Sequence, residues 1–136
     1  MDLSMFLKQN KKNTETIKYI ASKSFVDKDG QPIAWEIRPL KSKEADEIRN
    51  ECYKFDRKGK SKVDTAKFNR MVATRCTVFP NLNDKALQDS YGVMGAEQLI
   101  QEMLDKDGEY QAYTQKILEI SGYDEDMNDL VEEAKN

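Results

Sequence analysis

The sequence predicts a mainly α-helical protein in which an N-terminal β-hairpin packs on a bundle of about five short helices, α+β by strict count. Three observations carry this. Ile33, Trp35 and Ile37 alternate with Ala34, Glu36 and Arg38, the period of two that puts one set of side chains on one face of a strand. Ala96, Leu99, Ile100, Met103 and Leu104 follow the i, i+3, i+4, i+7, i+8 spacing of a helix with one apolar face. The chain has 136 residues, enough for one core and too few for two substantial ones.

Residues 1–15 read as a flexible N-terminal arm. Leu3, Phe6 and Leu7 lie at i, i+3, i+4 ahead of the polar run Lys8 to Asn13, so one helical turn can present three apolar side chains. Such a turn can dock on the chain's own core, on a twin subunit or on a client, and a frayed terminus is the plain alternative. Residues 16–123 are expected to form a single domain, with the hairpin over 16–40 and helices over 43–122. In the hairpin, a three-residue loop of Lys28, Asp29 and Gly30, with Gly30 left-handed, pairs Phe25 with Ile33 and Ala21 with Ile37. Both apolar faces then coincide, whereas a loop shorter or longer by one would set them against each other.

Ser42 is a plausible N-cap for a first helix over 43–54, which carries Ala45, Ile48, Cys52 and Phe55 at helical spacing. Residues 56–62, DRKGKSK, read as a mobile polar loop. Asp64 can cap a second helix with Phe68, Met71, Val72 and Cys76 in one stripe, and Pro80 ends that region. Asn83 or Asp84 can start a short helix with Leu87 and Tyr91. The stripe from Ala96 to Leu104 then gives way, at Gly108, to another of Tyr110, Tyr113, Ile117 and Ile120, and the two helices are expected to form an antiparallel pair. Gly122 suits the left-handed position beyond a helix, with Tyr123 making the accompanying contact. Residues 124–136 read as a solvated acidic tail.

Composition excludes several chemistries. The chain has no histidine, so Ser-His-Asp and Cys-His arrangements and imidazole ligation of zinc are ruled out. No run of about 18 apolar residues occurs, which excludes a spanning helix, and MDLSMFLKQNKKN lacks the cleavage site of a secretory signal, so a cytoplasmic protein is expected. Cys52 and Cys76 form no CxxC pair and are expected reduced and buried.

The calcium-loop reading of Asp27-Lys28-Asp29-Gly30 places Phe25 at the first ligand position, and a hairpin turn accounts for it better. Asp105 to Gly108 would put Met103 first and fails more clearly. Asp124, Asp126 and Asn128 have ligand spacing, but Asp129 replaces the glycine and Lys135 the last glutamate. Gly92 and Gly95 lack a phosphate-loop context and read as helix breaks. No catalytic residue, cofactor site or metal site is nominated. Eight cations stand between residues 54 and 75 against Asp56 and Asp64; a nucleic-acid reading of them is disfavoured by sparse aromatics and a net charge of -3.

Five phrases together carry a family resemblance: FLKQNKK at 6–12, SKSFVDKDGQPIAWEIRPL at 22–40, the following KEADEIR, VFPNLNDKALQDSYGVMGAEQLIQEML at 78–104 and GEYQAYTQKILEISGY at 108–123. In order and spacing the chain resembles the XkdN-like tail assembly chaperones of long-tailed phages and prophages, over nearly its full length. The resemblance implies a small non-enzymatic protein of the bacterial host cytoplasm. It would coat the apolar, helical tape measure protein before the tail tube polymerises, and be absent from the finished virion. The tape measure protein is then the expected partner, with tail tube subunits and a second copy of the chain as further ones. A client of that kind needs apolar grooves, to which Met71, Met94 and Met103 can contribute an adaptable surface beside Leu3, Phe6 and Leu7. Core filling is the commoner use of a methionine at such spacing.

Overall fold

The structure, a computed structural model, describes residues 2–13 and 15–123. Two 3-10 turns, Ser4–Phe6 and Lys8–Asn10, open the chain. After them come strands β1 (Ile17–Tyr19) and β2 (Trp35–Ile37), helix α1 (Ser42–Glu51), strands β3 (Tyr53–Phe55) and β4 (Ser61–Val63), and helix α2 (Thr65–Cys76). Strand β5 (Thr77–Phe79) and helices α3 (Lys85–Ser90), α4 (Ala96–Met103) and α5 (Asp107–Ile120) complete the described part. The fold is α+β and mainly helical, as the periodicities predict.

The first hairpin has the predicted turn. Asp27 N–H donates to Gln31 O at 2.8 Å, Gly30 N–H donates to Asp27 O at 3.0 Å, and Gly30 sits at φ +79°, the left-handed residue of a three-residue loop. Ile33 N–H donates to Phe25 O at 2.8 Å, so that pairing stands. The expected partner of Ile37 does not: Ile17 faces it, and Tyr19 faces Trp35. Between Tyr19 and Phe25 the first strand makes an excursion over Ile20 to Ser24. Ser22 Oγ donates to Glu109 Oε1 at 2.8 Å, and Lys23 N–H donates to Glu109 Oε2 at 3.2 Å. The slip is an even number of residues, so the side-chain parity survives and the apolar faces still coincide.

Residues 56–62, expected as a loop, form the turn and the start of the return strand of a second hairpin, in which Tyr53 faces Val63, Lys54 faces Lys62 and Phe55 faces Ser61. Helix α1 therefore stops at Glu51 and Phe55 leaves its stripe. The N-cap position belongs to Lys41 rather than Ser42, and the Lys41 N–H donates to Glu44 Oε1 at 3.1 Å. Asp64 and Asp84 cap α2 and α3 as expected, accepting from Lys67 N–H at 3.2 Å and Leu87 N–H at 2.8 Å.

Strand β5 was not legible as a strand. It lies antiparallel to β2 on the side away from β1, with Glu36 opposite Phe79 and Ile37 opposite Thr77, which leaves Val78 as an extra, bulged residue. The sheet rests on α5 through aromatic contacts, Trp35 edge-on to Tyr113 at 5.3 Å and Tyr19 beside it at 6.1 Å.

Helix α2 is the centre of the bundle, touching α1, α4, α5 and β5. Helices α4 and α5 both seat on α2, and Gly108 lies inside the first turn of α5 rather than between the helices. The core joins Trp35, Ile37, Ile48, Val72, Leu99, Ile100, Tyr113 and Ile117, all almost fully buried. At about 1.5 to 3 kcal/mol per large apolar side chain, these hold the fold together. Cys52 and Cys76 are free and buried within it, and burial pushes the Cys76 thiol up to about 11. Past α5, Gly122 is left-handed at φ +97°; its N–H donates to Glu119 O at 3.1 Å and that of Tyr123 to Leu118 O at 2.9 Å, a Schellman cap. The acidic segment 124–136 lies outside the described residues, as does the ligand spacing of Asp124, Asp126 and Asn128.

Candidate protein-binding surface

Apolar side chains that the fold leaves in water are the first candidates for a binding surface. The arm supplies four. Leu3, Met5, Phe6 and Leu7 are exposed, Phe6 by 77%, and none belongs to the apolar core or packs against it. The arm is nevertheless wound by its own bonds. Asp2 accepts from Ser4 N–H and Ser4 Oγ at 2.9 Å each, which lowers the Asp2 pKa, and Phe6 N–H donates to Leu3 O at 2.9 Å. The predicted apolar turn thus forms as a 3-10 turn that displays its side chains outward.

The second hairpin supplies two aromatics. Tyr53 and Phe55 have the same parity and project from one face of β3, Phe55 exposed by 74%. The hairpin is rooted by Asp64 N–H donating to Cys52 O at 2.7 Å and by Val63 against the core. Its turn repeats the first one. Asp56 Oδ1 accepts from Lys58 N–H at 2.8 Å and Lys60 N–H at 2.9 Å, as Asp27 Oδ1 does from Asp29 at 2.8 Å and Gln31 at 3.0 Å. Gly59 is left-handed at φ +78°. The Asp27 carboxylate, once a calcium candidate, is occupied by the turn.

The basic stretch from 54 to 75 divides in two. On α2, Arg70 pairs with Glu97 at 3.4 Å, Arg75 with Glu47 at 3.0 Å, and Lys67 Nζ donates to Glu51 O at 3.1 Å, so these cations are structural. On the hairpin, Lys54, Arg57, Lys58, Lys60 and Lys62 have no ion-pair partner among the described residues. A third apolar area is the outer face of the sheet, where Phe79 is exposed beside Lys18, Ala34 and Glu36. Among the described residues no three His, Cys, Asp or Glu side chains stand close enough to hold a metal ion, and no buried side-chain polar atom lacks a partner. No described helix is long and apolar enough to cross a membrane.

The model of the phage XkdN-like tail assembly chaperone proteins matches residues 3–135. The chain belongs to this family. As a tail assembly chaperone it is 34% identical over 139 residues to the phage-like element PBSX protein XkdN of Bacillus subtilis (strain 168), covering 99% of this chain and 94% of that one. It is 32% identical over 139 residues to the uncharacterized protein YqbN of the same organism, covering 99% and 93%. The crystal structure of YqbN superposes with a TM-score of 0.78 at 27% identity, over 91% of this chain and 98% of that chain.

In this XkdN-like chaperone the six residues expected to meet a partner fall into two groups. Leu3, Phe6 and Leu7 are exposed on the arm, and Met94 is 90% exposed in the loop before α4. Met71 and Met103 are buried, each on the helix face turned to the core, which is the commoner, core-filling use rather than the partner contact considered for them. Tyr53, Phe55 and Phe79 were missed as surface residues. Two five-residue phrases of one pattern, Asp-Lys-Asp-Gly-Gln and Asp-Arg-Lys-Gly-Lys, were the signal that could have found the first two.

Proposed function

We propose that this tail assembly chaperone binds the tape measure protein of its phage or prophage and keeps it soluble while the tail is built. It does so as a non-catalytic protein in the host cytoplasm. The observation that carries the reading is the arm: four large apolar side chains held in water on a self-wound turn, outside the core. Burying each against a client's apolar helix is worth up to about 1.5 to 3 kcal/mol, more than a terminus that only frays would forgo. Tyr53 and Phe55 add a second apolar face, and the hairpin cations around them suit acidic side chains flanking a client helix. Tail tube subunits are secondary partners on the same surface.

The test is co-expression with the tape measure protein of the same phage or prophage. The chaperone is expected to raise its soluble fraction and to co-purify with it. Equal solubility with and without the chaperone, at matched expression, overturns the reading.

A further inference from the structure

Of the three exposed apolar areas, two are poorly made to meet a copy of themselves. The arm turn is followed by Lys8, Lys11 and Lys12, and the second hairpin carries Lys54, Arg57, Lys58, Lys60 and Lys62, so two copies of either bring like charge against like charge. The outer face of the three-stranded sheet differs. The register puts Lys18, Glu36 and Phe79 in a row across β1, β2 and β5, and Ala34, two residues before Glu36, shares their side. These four residues line a hollow of about 330 Å³, room for a phenyl ring, with Ala34 the smallest side chain in its wall.

The opposite face of the same strands packs into the core through Ile17, Tyr19, Trp35 and Ile37, whereas on this one Phe79 is 49% exposed and Lys18 is exposed with it. Lys18 and Glu36 face each other directly across the ladder, where opposite charges attract, yet neither makes an ion pair among the described residues. A partner for this face must therefore fill an apolar hollow and offset a cation and an anion standing side by side. A surface of one sign gains from the first charge and loses to the second. The face itself meets both demands. Turned through a two-fold axis, it offers Phe79 to the hollow beside Ala34, and its lysine and glutamate complete a neutral cluster of two cations and two anions.

We propose that the outer sheet face, with Phe79 and Ala34 beside Lys18 and Glu36, is a self-complementary contact through which two copies of this chain pair face to face. The face is small beside the roughly 800 Å² that each partner buries in a standard interface, so the pair is weak and concentration-dependent. It uses no side chain of the arm or of the second hairpin, so both copies keep theirs for a client. It goes beyond the tape measure reading and does not rest on it.

Sedimentation velocity of the full chain, without client, tests this at concentrations rising to about 1 mM, which reaches contacts a thousandfold weaker than a micromolar one. The parent should shift from monomer toward dimer. Phe79→Ser should weaken the dimer about ten-fold or more, since two buried rings are lost from it. Lys18→Glu and Glu36→Lys should each lower it below detection, because the cluster becomes four charges of one sign, and an equal mixture of the two should restore a mixed dimer. Each of these variants sets like charges across its own β1–β2 ladder, and mixing does not relieve that, so restoration requires contact between chains. The double reversal Lys18→Glu/Glu36→Lys, whose ladder again pairs opposite charges, should dimerise like the parent. A parent that stays monomeric at the highest concentration, a dimer that Phe79→Ser leaves unchanged, or failure of both the mixture and the double reversal to restore association each overturns the proposal.

Discussion

Glu44 accepts two 2.8 Å bonds from Arg38, one from the Lys41 N–H at 3.1 Å, and lies 3.8 Å from Arg75. The Arg38 bonds are the chief reason its pKa falls to about 2. A folded-state pKa below the unfolded value means that the unfolded chain binds the extra proton first. The contribution of Glu44 is therefore full above the ordinary carboxylate pKa of 4.5 and is lost as pH falls toward about 2. Glu44→Gln should cost about 1.5 kcal/mol at neutral pH, the low end for charge-assisted bonds because Arg38 keeps some water, and the gap to the parent should close across that acid window. Chemical denaturation at several pH values reads this directly, and a gap that does not change with pH refutes it. A second buried contact has a direction that mutation can expose. Thr77 Oγ1 bonds Ala73 O at 2.7 Å with its only hydrogen, so in the 2.6 Å contact with Tyr113 the phenol is the donor. Tyr113→Phe removes donor and bond together and should cost about 1 kcal/mol, whereas Thr77→Val strands a buried hydroxyl and should cost about 2 kcal/mol or more. Equal costs in urea unfolding would reverse the assignment.

At the scale of elements, what was legible depended on how local the cause is. The caps at Asp64, Asp84 and Gly122 act within a few residues of themselves, and sequence was enough to place them. The first hairpin was legible because Ile33, Trp35 and Ile37 alternate, but its register slip was not. That slip is held by Glu109 on α5, far along the chain, and no local pattern reports it. The second hairpin has the same turn, yet its return strand Ser61–Val63 carries a single apolar residue, Val63, too few to show a period, and Phe55 falls by chance on the stripe of α1. Strand β5 is three residues between a helix and a proline, too short to show a period. The second hairpin also carries a cost that folding alone does not explain. Lys54 and Lys62 face each other directly across the ladder, and like charges so placed repel. Lys62→Glu should therefore stabilise the hairpin by roughly 0.2 to 1 kcal/mol while weakening retention of the client. Hydrogen exchange of the β3 and β4 amides and a pull-down read the two effects, and slower exchange with undiminished retention would detach this face from binding.

Across the whole molecule, the candidate surface was partly legible because residues with no stripe to join have no core to enter. Leu3, Phe6 and Leu7 precede every other apolar pattern, and Met94 stands between Gly92 and Gly95, outside any helical stripe. Met71 and Met103 sit on stripes, and spacing alone cannot separate a core face from a client-binding face, since both demand the same period. Burial separates them, and so does mutation. Met71→Ala removes a side chain that lies in the core, beside Cys52 Sγ at 3.8 Å, and should cost about 2 kcal/mol or more through lost contacts and an unfilled cavity. Leu3→Ser/Phe6→Ser/Leu7→Ser changes exposed side chains outside the core and should move stability by no more than about 0.5 kcal/mol. The order reverses for the client. The arm variant should lose most of its tape measure retention at unchanged melting temperature, while Met71→Ala, assayed below its own melting temperature, should keep it. A folded arm variant that retains the client at parental levels would move the binding surface off the arm.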